Sequence, residues 1–273
     1  MSDLLKYFEN NTGRLIFKWM HYFGIYERHF GAYRGRPVRM LEFGVFHGGS
    51  LQMWKHYFGP QAQIVGVDIN PQCANMAEPG IQIEIGDQEN RAFLATLRDK
   101  HGPFDIILDD GGHSMRQQIV TFEEMYQSVK PGGLYVVEDT HTSYFEGWQG
   151  GFQRPGTFIE YSKSFIDHLH AWHSVNPAHT PGLLGKTAFG LHYYDSVLAI
   201  EKHNLQAPVQ KLTGEPSWPI GALEYTLLAE HEASIGRFDR AVAKCNAALQ
   251  ADPQYQRARE LLEKIEAHRN AQN

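Results

Sequence analysis

The sequence predicts an α/β protein: a doubly wound, mostly parallel sheet of seven strands, followed by a small all-α tail. Three observations carry this reading. Short apolar runs alternate with helical spacings from residue 38 to residue 137, the pattern of βαβ units joined in a parallel sheet. Two further runs, residues 188–194 and 196–200, are separated only by a turn at Asp195, which predicts an antiparallel finish. A stretch containing Pro208, Pro216 and Pro219 then divides the sheet domain from a segment with helical spacing throughout.

The elements follow in order. Leu15, Trp19, Tyr22 or Phe23, Tyr26 and Phe30 stand at helical spacing, predicting an amphipathic helix within residues 13–33 whose solvated face carries Lys18, His21 and Arg28. Residues 38–43 read as the first central strand. It runs into Glu42-Phe43-Gly44-Val45-Phe46-His47-Gly48-Gly49-Ser50 and a helix with Leu51, Trp54 and Tyr57. Strand, glycine turn and helix is an arrangement that lets backbone approach a nucleotide-like ligand. The dinucleotide fingerprint is broken by Phe46 at its second glycine, so a ligand without a pyrophosphate fits better. The second strand, residues 64–67, ends in Asp68, placed to take ribose hydroxyls. The third, residues 81–85, ends in Gly86-Asp87-Gln88, where a carboxylate meets an adenine amino group.

The chemistry is expected between residues 104 and 141. The fourth strand, residues 104–108, ends in Asp109-Asp110-Gly111-Gly112-His113. Ser114 and Gln117 form a capping-box pattern for a helix that carries Met115, Ile119, Phe122, Tyr126 and Val129 on one face and stops at Pro131-Gly132-Gly133. The fifth strand, residues 134–137, ends in Glu138-Asp139-Thr140-His141. Adjacent parallel strands deliver these side chains to one carboxyl edge. Asp110, Glu138 and Asp139 converging there make a hard, oxygen-rich site suited to Mg²⁺, Mn²⁺ or Ca²⁺. His113 is then placed to act as general base, with His141 as the weaker second candidate. Residues 144–156, rich in Gly and aromatic side chains, read as a flap or surface loop before a helix at residues 158–172, and residues 174–186 as a second loop.

Composition bounds the partners. At 273 residues, 42% hydrophobic and 21% charged, the chain has the make-up of a globular protein with one α/β domain and an appendage. A formal charge of −6 gives no electrostatic reason to expect nucleic acid or an anionic membrane. Neither an apolar leader nor a run of about 18 apolar residues is visible, and the two cysteines, Cys73 and Cys245, fit a reducing compartment. A cytoplasmic protein is expected. Four regions follow: an N-terminal helical region, residues 1–36; a catalytic domain, 37–201; a linker, 202–221; and a tail, 222–268. In the tail Tyr225, Leu228, Ala229, Gly236, Ala241, Cys245, Ala248 and Pro253 match the packing positions of one tetratricopeptide repeat, with Glu232 and Cys245 replacing its usual aromatic residues.

Residues from about 39 to 144 resemble class I S-adenosylmethionine-dependent methyltransferases, and most of all the metal-dependent sugar O-methyltransferases typified by the mycinamicin and macrocin enzymes. The resemblance implies a Rossmann-like catalytic domain, S-adenosylmethionine and Mg²⁺ or another hard divalent cation as cofactors, and a glycoside acceptor. It assigns metal binding to Asp110, Glu138 and Asp139, the catalytic base to His113, and the cofactor to Glu42, Gly44, Asp68, Asp87 and Asp109. Two rivals are a nicotinamide-dependent oxidoreductase on the same fold, opposed by Phe46, and a non-catalytic scaffold using the helical tail, opposed by the retained metal and base residues. A lone repeat must cover its apolar face, either against its own catalytic domain or against a second subunit; the second is preferred, so the tail predicts a homo-oligomer.

Overall fold

The computed structural model describes residues 2–270, so Met1 of the N-terminal region lies outside the described residues. The chain divides between Gln206 and Ala207 into two compact units.

The first unit contains α1 (Asp3–Glu9), α2 (Tyr22–Phe30), β1 (Arg39–Phe43), α3 (Gly49–Phe58), β2 (Gln63–Asp68), β3 (Ile81–Ile85), α4 (Arg91–His101), β4 (Phe104–Asp109), α5 (Met115–Met125), β5 (Val129–Val137), α6 (Phe158–His170), α7 (Leu183–Thr187), β6 (Ala188–Tyr194) and β7 (Val197–Lys202). The seven strands lie in the order β3-β2-β1-β4-β5-β7-β6. The first five run parallel, and β7 is antiparallel to both its neighbours. The strand order reverses between β1 and β4, where diverging loops open a crevice at the carboxyl edge.

Side-chain alternation explains the layers. Met40, Ile64, Ile106, Leu108 and Val136 face one way and pack with Tyr26, Phe30, Trp54 and Phe58. Leu41, Val65, Ile107, Tyr135 and Val137 face the other way and pack with Leu94, Phe122 and Phe165. Full burial of each such side chain stabilises the fold by about 1.5–3 kcal/mol. Across the central strands Phe43 pairs with Asp109 and Asp109 with Val137. The residues that follow, Gly44, Asp110 and Glu138, therefore leave the sheet side by side.

Three elements differ from the sequence expectation. Residues 13–21 are not helical. Leu15, Phe17 and Trp19 are exposed while Ile16 and Lys18 turn inward, a two-residue alternation of extended chain. The helix after Ser114 has its capping box but ends at Met125, so Val129 opens β5 rather than continuing the helical face. Lys202 Nζ donates to the carbonyls of Tyr126 and Gln127 at 3.0 and 2.9 Å, satisfying acceptors that the ended helix leaves free. Part of the expected loop 174–186 forms α7, and α6 stops two residues before Trp172.

In the second unit, α8 (Ala222–Ser234), α9 (Phe238–Ala251) and α10 (Gln256–Asn270) pack around Ala229, Ala241, Cys245 and Ile265, with Ala222, Ala248 and Ala258 as a second contact. Small residues at these positions bring the helix axes close.

Candidate active site

A cavity of about 740 Å³ opens at the strand-order reversal, between the loops that follow β1, β2, β3, β4 and β5 and the N-terminal extended segment. The loop after β1 forms one wall. Gly44 has φ +91°, and a Cβ there would lie 1.9 Å from the carbonyl oxygen of Asp110, so only glycine lets the β1 and β4 loops meet. Asp68 lines the cavity and also ties this loop down, its Oδ2 accepting from the amides of Val45 and Phe46 at 2.9 and 3.1 Å. Asp87 is exposed on the same wall. Gln88 beneath it donates to Asp109 Oδ1 at 3.1 Å and accepts from the Gly112 amide at 2.9 Å, linking the third and fourth strand ends.

Glu42 and Asp109, both expected on the cofactor, do not line this cavity. Each is fully buried. Glu42 lies under the floor, accepting from Ser50 Oγ at 3.1 Å, and Asp109 is enclosed with Gln88. Burial pushes both carboxyls up to about 7. Their role here is to support the loops from below.

Beside this loop Asp110, His113 and Asp139 bring one ligand atom each within 4.8 Å of one another. His113 Nε2 lies 3.3 Å from Asp139 Oδ2 and 3.8 Å from Asp110 Oδ1. His113 and Asp139 both adopt left-handed backbone, with φ of +57° and +51°, a conformation that costs a side-chain-bearing residue of order 1 kcal/mol or more and collects at functional sites. Thr142 Oγ1 helps hold it, donating to the His113 carbonyl at 2.8 Å. Burial lowers the His113 pKa, which keeps the imidazole neutral at neutral pH. His141 stands at the edge of this group: its Nδ1 is 2.8 Å from Ser196 Oγ and 3.9 Å from Asp139 Oδ1, and it lines a smaller cavity of about 190 Å³ with Tyr144 and Tyr193.

Glu138 adjoins this group, but both its oxygens are engaged. Tyr26 donates to Oε1 at 2.5 Å and Lys18 to Oε2 at 2.8 Å. Lys18 also donates to Asp110 Oδ2 and lies 3.9 Å from Glu42 Oε1, with only 3% of its side chain exposed. Tyr22 donates to Asp139 Oδ1 at 2.5 Å. Burial alone would lower the Lys18 pKa, but Asp110, Glu138 and Glu42 outweigh it and hold the ammonium above its ordinary value. Burial raises Glu138 to about 7 against the pull of Lys18. The expectation that Lys18 is solvated is thus overturned. Tyr22 and Tyr26, one turn apart on α2, present two donors along one line, and Lys18 joins them from the extended segment before that helix.

Residues 41–140 match a family model described as a methyltransferase domain. The chain carries a methyltransferase domain. The chain is 39% identical over 199 residues to mycinamicin VI 2''-O-methyltransferase of Micromonospora griseorubida, a match spanning 68% of this chain and 49% of the relative. It is 37% identical to demethylmacrocin O-methyltransferase of Streptomyces fradiae, over 74% of this chain and 53% of the relative. The chain therefore spans about half the length of the curated relatives it matches. Among solved structures, the MycE methyltransferase of the mycinamycin pathway in complex with Mg and SAH superposes with a TM-score of 0.65 at 36% identity, over 74% of this chain and 54% of that one. The same enzyme in complex with Mg, SAH and mycinamycin VI gives 0.65 at 35% identity over 80% of this chain. The seven-stranded, mostly parallel sheet with flanking helices is the Rossmann-like methyltransferase fold. Among the described residues no helix is long and apolar enough to cross a membrane.

Proposed function

We propose that the protein transfers the methyl group of S-adenosylmethionine to a sugar hydroxyl of a small-molecule glycoside, assisted by Mg²⁺ or another hard divalent cation. The observation that carries this is the convergence of Asp110, His113 and Asp139 on the wall of a cavity that the Gly44 loop also lines, with Asp68 and Asp87. The likeness to mycinamicin VI 2''-O-methyltransferase and demethylmacrocin O-methyltransferase supports the choice of acceptor.

The residues present fit such a cation. Two carboxylates and an imidazole within 4.8 Å form a compact, anionic donor set, and Asp110, Asp139 and Glu138 would hold it. When bound, a hard divalent cation makes a nearby hydroxyl more acidic. Asp68 and Asp87 present acceptors to the cofactor's ribose and adenine, and Gly44 admits its methionine part. His113, neutral by burial, takes the proton of the acceptor hydroxyl. The oxygen attacks the methyl carbon, the carbon–sulfur bond breaks with its pair staying on sulfur, and S-adenosylhomocysteine leaves. The position of His113 within the cluster also favours a second reading, in which it is a cation ligand.

Incubation of the purified protein with S-adenosylmethionine, Mg²⁺ and a panel of glycosides, read by mass spectrometry, is expected to yield a product heavier by one methylene together with S-adenosylhomocysteine. No binding of S-adenosylhomocysteine at millimolar concentration would sink the reading. Gly44→Ala should weaken that binding by more than about tenfold, because relieving the clash must displace loop backbone by an ångström or more; unchanged affinity in calorimetry would remove the loop from the cofactor site.

The tail, residues 222–268, is assigned to self-association, with the buried, unpaired Cys73 and Cys245 fitting a reducing cytoplasm. Deleting the chain from residue 207 should leave a particle of lower assembly state in light scattering. A truncated protein that keeps the full-length assembly would reject the assignment.

A further inference from the structure

We propose that Lys18 is a tethered cation that occupies part of the divalent-cation site in the metal-free protein and is displaced when the cation binds. This rests on the cation reading above. Nζ donates to Asp110 Oδ2 and Glu138 Oε2, and Tyr26 holds the second Glu138 oxygen. With Lys18 in place each Glu138 oxygen already accepts a hydrogen bond, and the ligand atoms that converge come from Asp110, His113 and Asp139. A lysine ammonium is a compact point charge with three donors, able to satisfy the carboxylate oxygens that a hard ion would bind. It brings one charge where the ion brings two, so at the same oxygens the ion is attracted about twice as strongly.

The segment that carries Lys18 suits withdrawal. Residues 11–21 belong to no strand ladder. The segment is held elsewhere by Arg14, which donates to the Met76 carbonyl at 2.9 Å and pairs with Glu78 at 3.2 Å, and by His21 at 3.2 Å from the Asp195 carbonyl. The residues flanking Lys18, Phe17 and Trp19, are 82% and 51% exposed. Phe17 and Trp19 therefore lose little apolar burial when Lys18 moves out, while Ile16 keeps the segment anchored on the core. The released oxygens of Asp110 and Glu138 complete the set of three carboxylates.

Amine-reactive footprinting of the unaltered protein, read by mass spectrometry, tests the displacement. Lys18 should be protected in EDTA and react about tenfold faster at saturating Mg²⁺, while exposed lysines such as Lys100 and Lys163 keep their rates. Mn²⁺ binding, followed in parallel by electron paramagnetic resonance, separates the possible failures. Bound Mn²⁺ with unaltered Lys18 protection would mean that lysine and ion coexist and would overturn the proposal alone. Absence of any bound Mn²⁺ would overturn the cation reading together with it. Lys18→Met should bind Mn²⁺ about tenfold more tightly, the gain expected when a competitor filling the site about nine-tenths of the time is removed. Weaker binding by that variant would show that Lys18 positions the carboxylates for the ion, contrary to the proposal.

Discussion

His113→Ala is expected to lower the methyl-transfer rate by about 10²- to 10⁴-fold, the usual cost of removing a general base. Affinity for S-adenosylhomocysteine should stay within a factor of about two, because the imidazole belongs to the Asp110–Asp139 cluster and not to the Gly44, Asp68 and Asp87 edge. The behaviour of the cation separates the two readings of this residue. A base leaves Mn²⁺ affinity nearly intact when removed, whereas a ligand takes it away. The lowered pKa sets the direction of the pH effect: neutral imidazole dominates at pH 7, so activity should hold through neutral pH and fall on the acid side as the ring gains its proton. A variant with near-normal turnover would remove His113 from the reaction. His141 is a poor substitute, since its ring is turned toward Ser196.

Stripping the divalent cation should have the second large effect, a loss of turnover greater than about 10²-fold that returns when Mg²⁺ is added back. The physical ground is charge. Glu42, Asp110 and Glu138 lie around a single ammonium, with Asp139 beside Asp110, and burial already pushes Glu42 and Glu138 toward their protonated forms. Asp110→Asn should reproduce much of the loss, as its carboxylate adjoins both Lys18 and His113. Full activity after exhaustive demetallation, verified by elemental analysis, would be the contrary result.

The strands and the glycine turn were legible because their signals are local: an apolar run, a turn residue, a helical spacing. The arrival of Asp110, Glu138 and Asp139 at one edge was legible as well, since adjacent parallel strands must deliver their ends there. Lys18 was hidden for two reasons. Apolar residues at 15, 19, 22, 26 and 30 mimic a continuous helix through a segment that is in fact extended, and an ion pair to Glu138 spans 120 residues with no local trace. Glu42 and Asp109 show a further limit. Position at a strand end locates a carboxylate at the edge, but whether it faces the cavity or the packed layer depends on how the loops fold over it. The early end of α5 had a comparable cause, because pairing of Val129 with Phe104 in the sheet outcompetes another helical turn.

The placement of β7 between β5 and β6 has a bearing on how this protein comes into being. The Thr140 amide donates to the Ser196 carbonyl at 3.0 Å, and Tyr22 and Lys18 reach groups more than a hundred residues away. During synthesis the first five strands emerge in an order that allows them to pair as they appear, but the loop bearing Asp139 lacks its Ser196 brace until the hairpin ending at Lys202 has left the ribosome and docked. Contacts of such long sequence separation close slowly, so the chemical edge should be among the last regions to gain hydrogen-exchange protection during refolding, after the β1–β4 centre is already shielded.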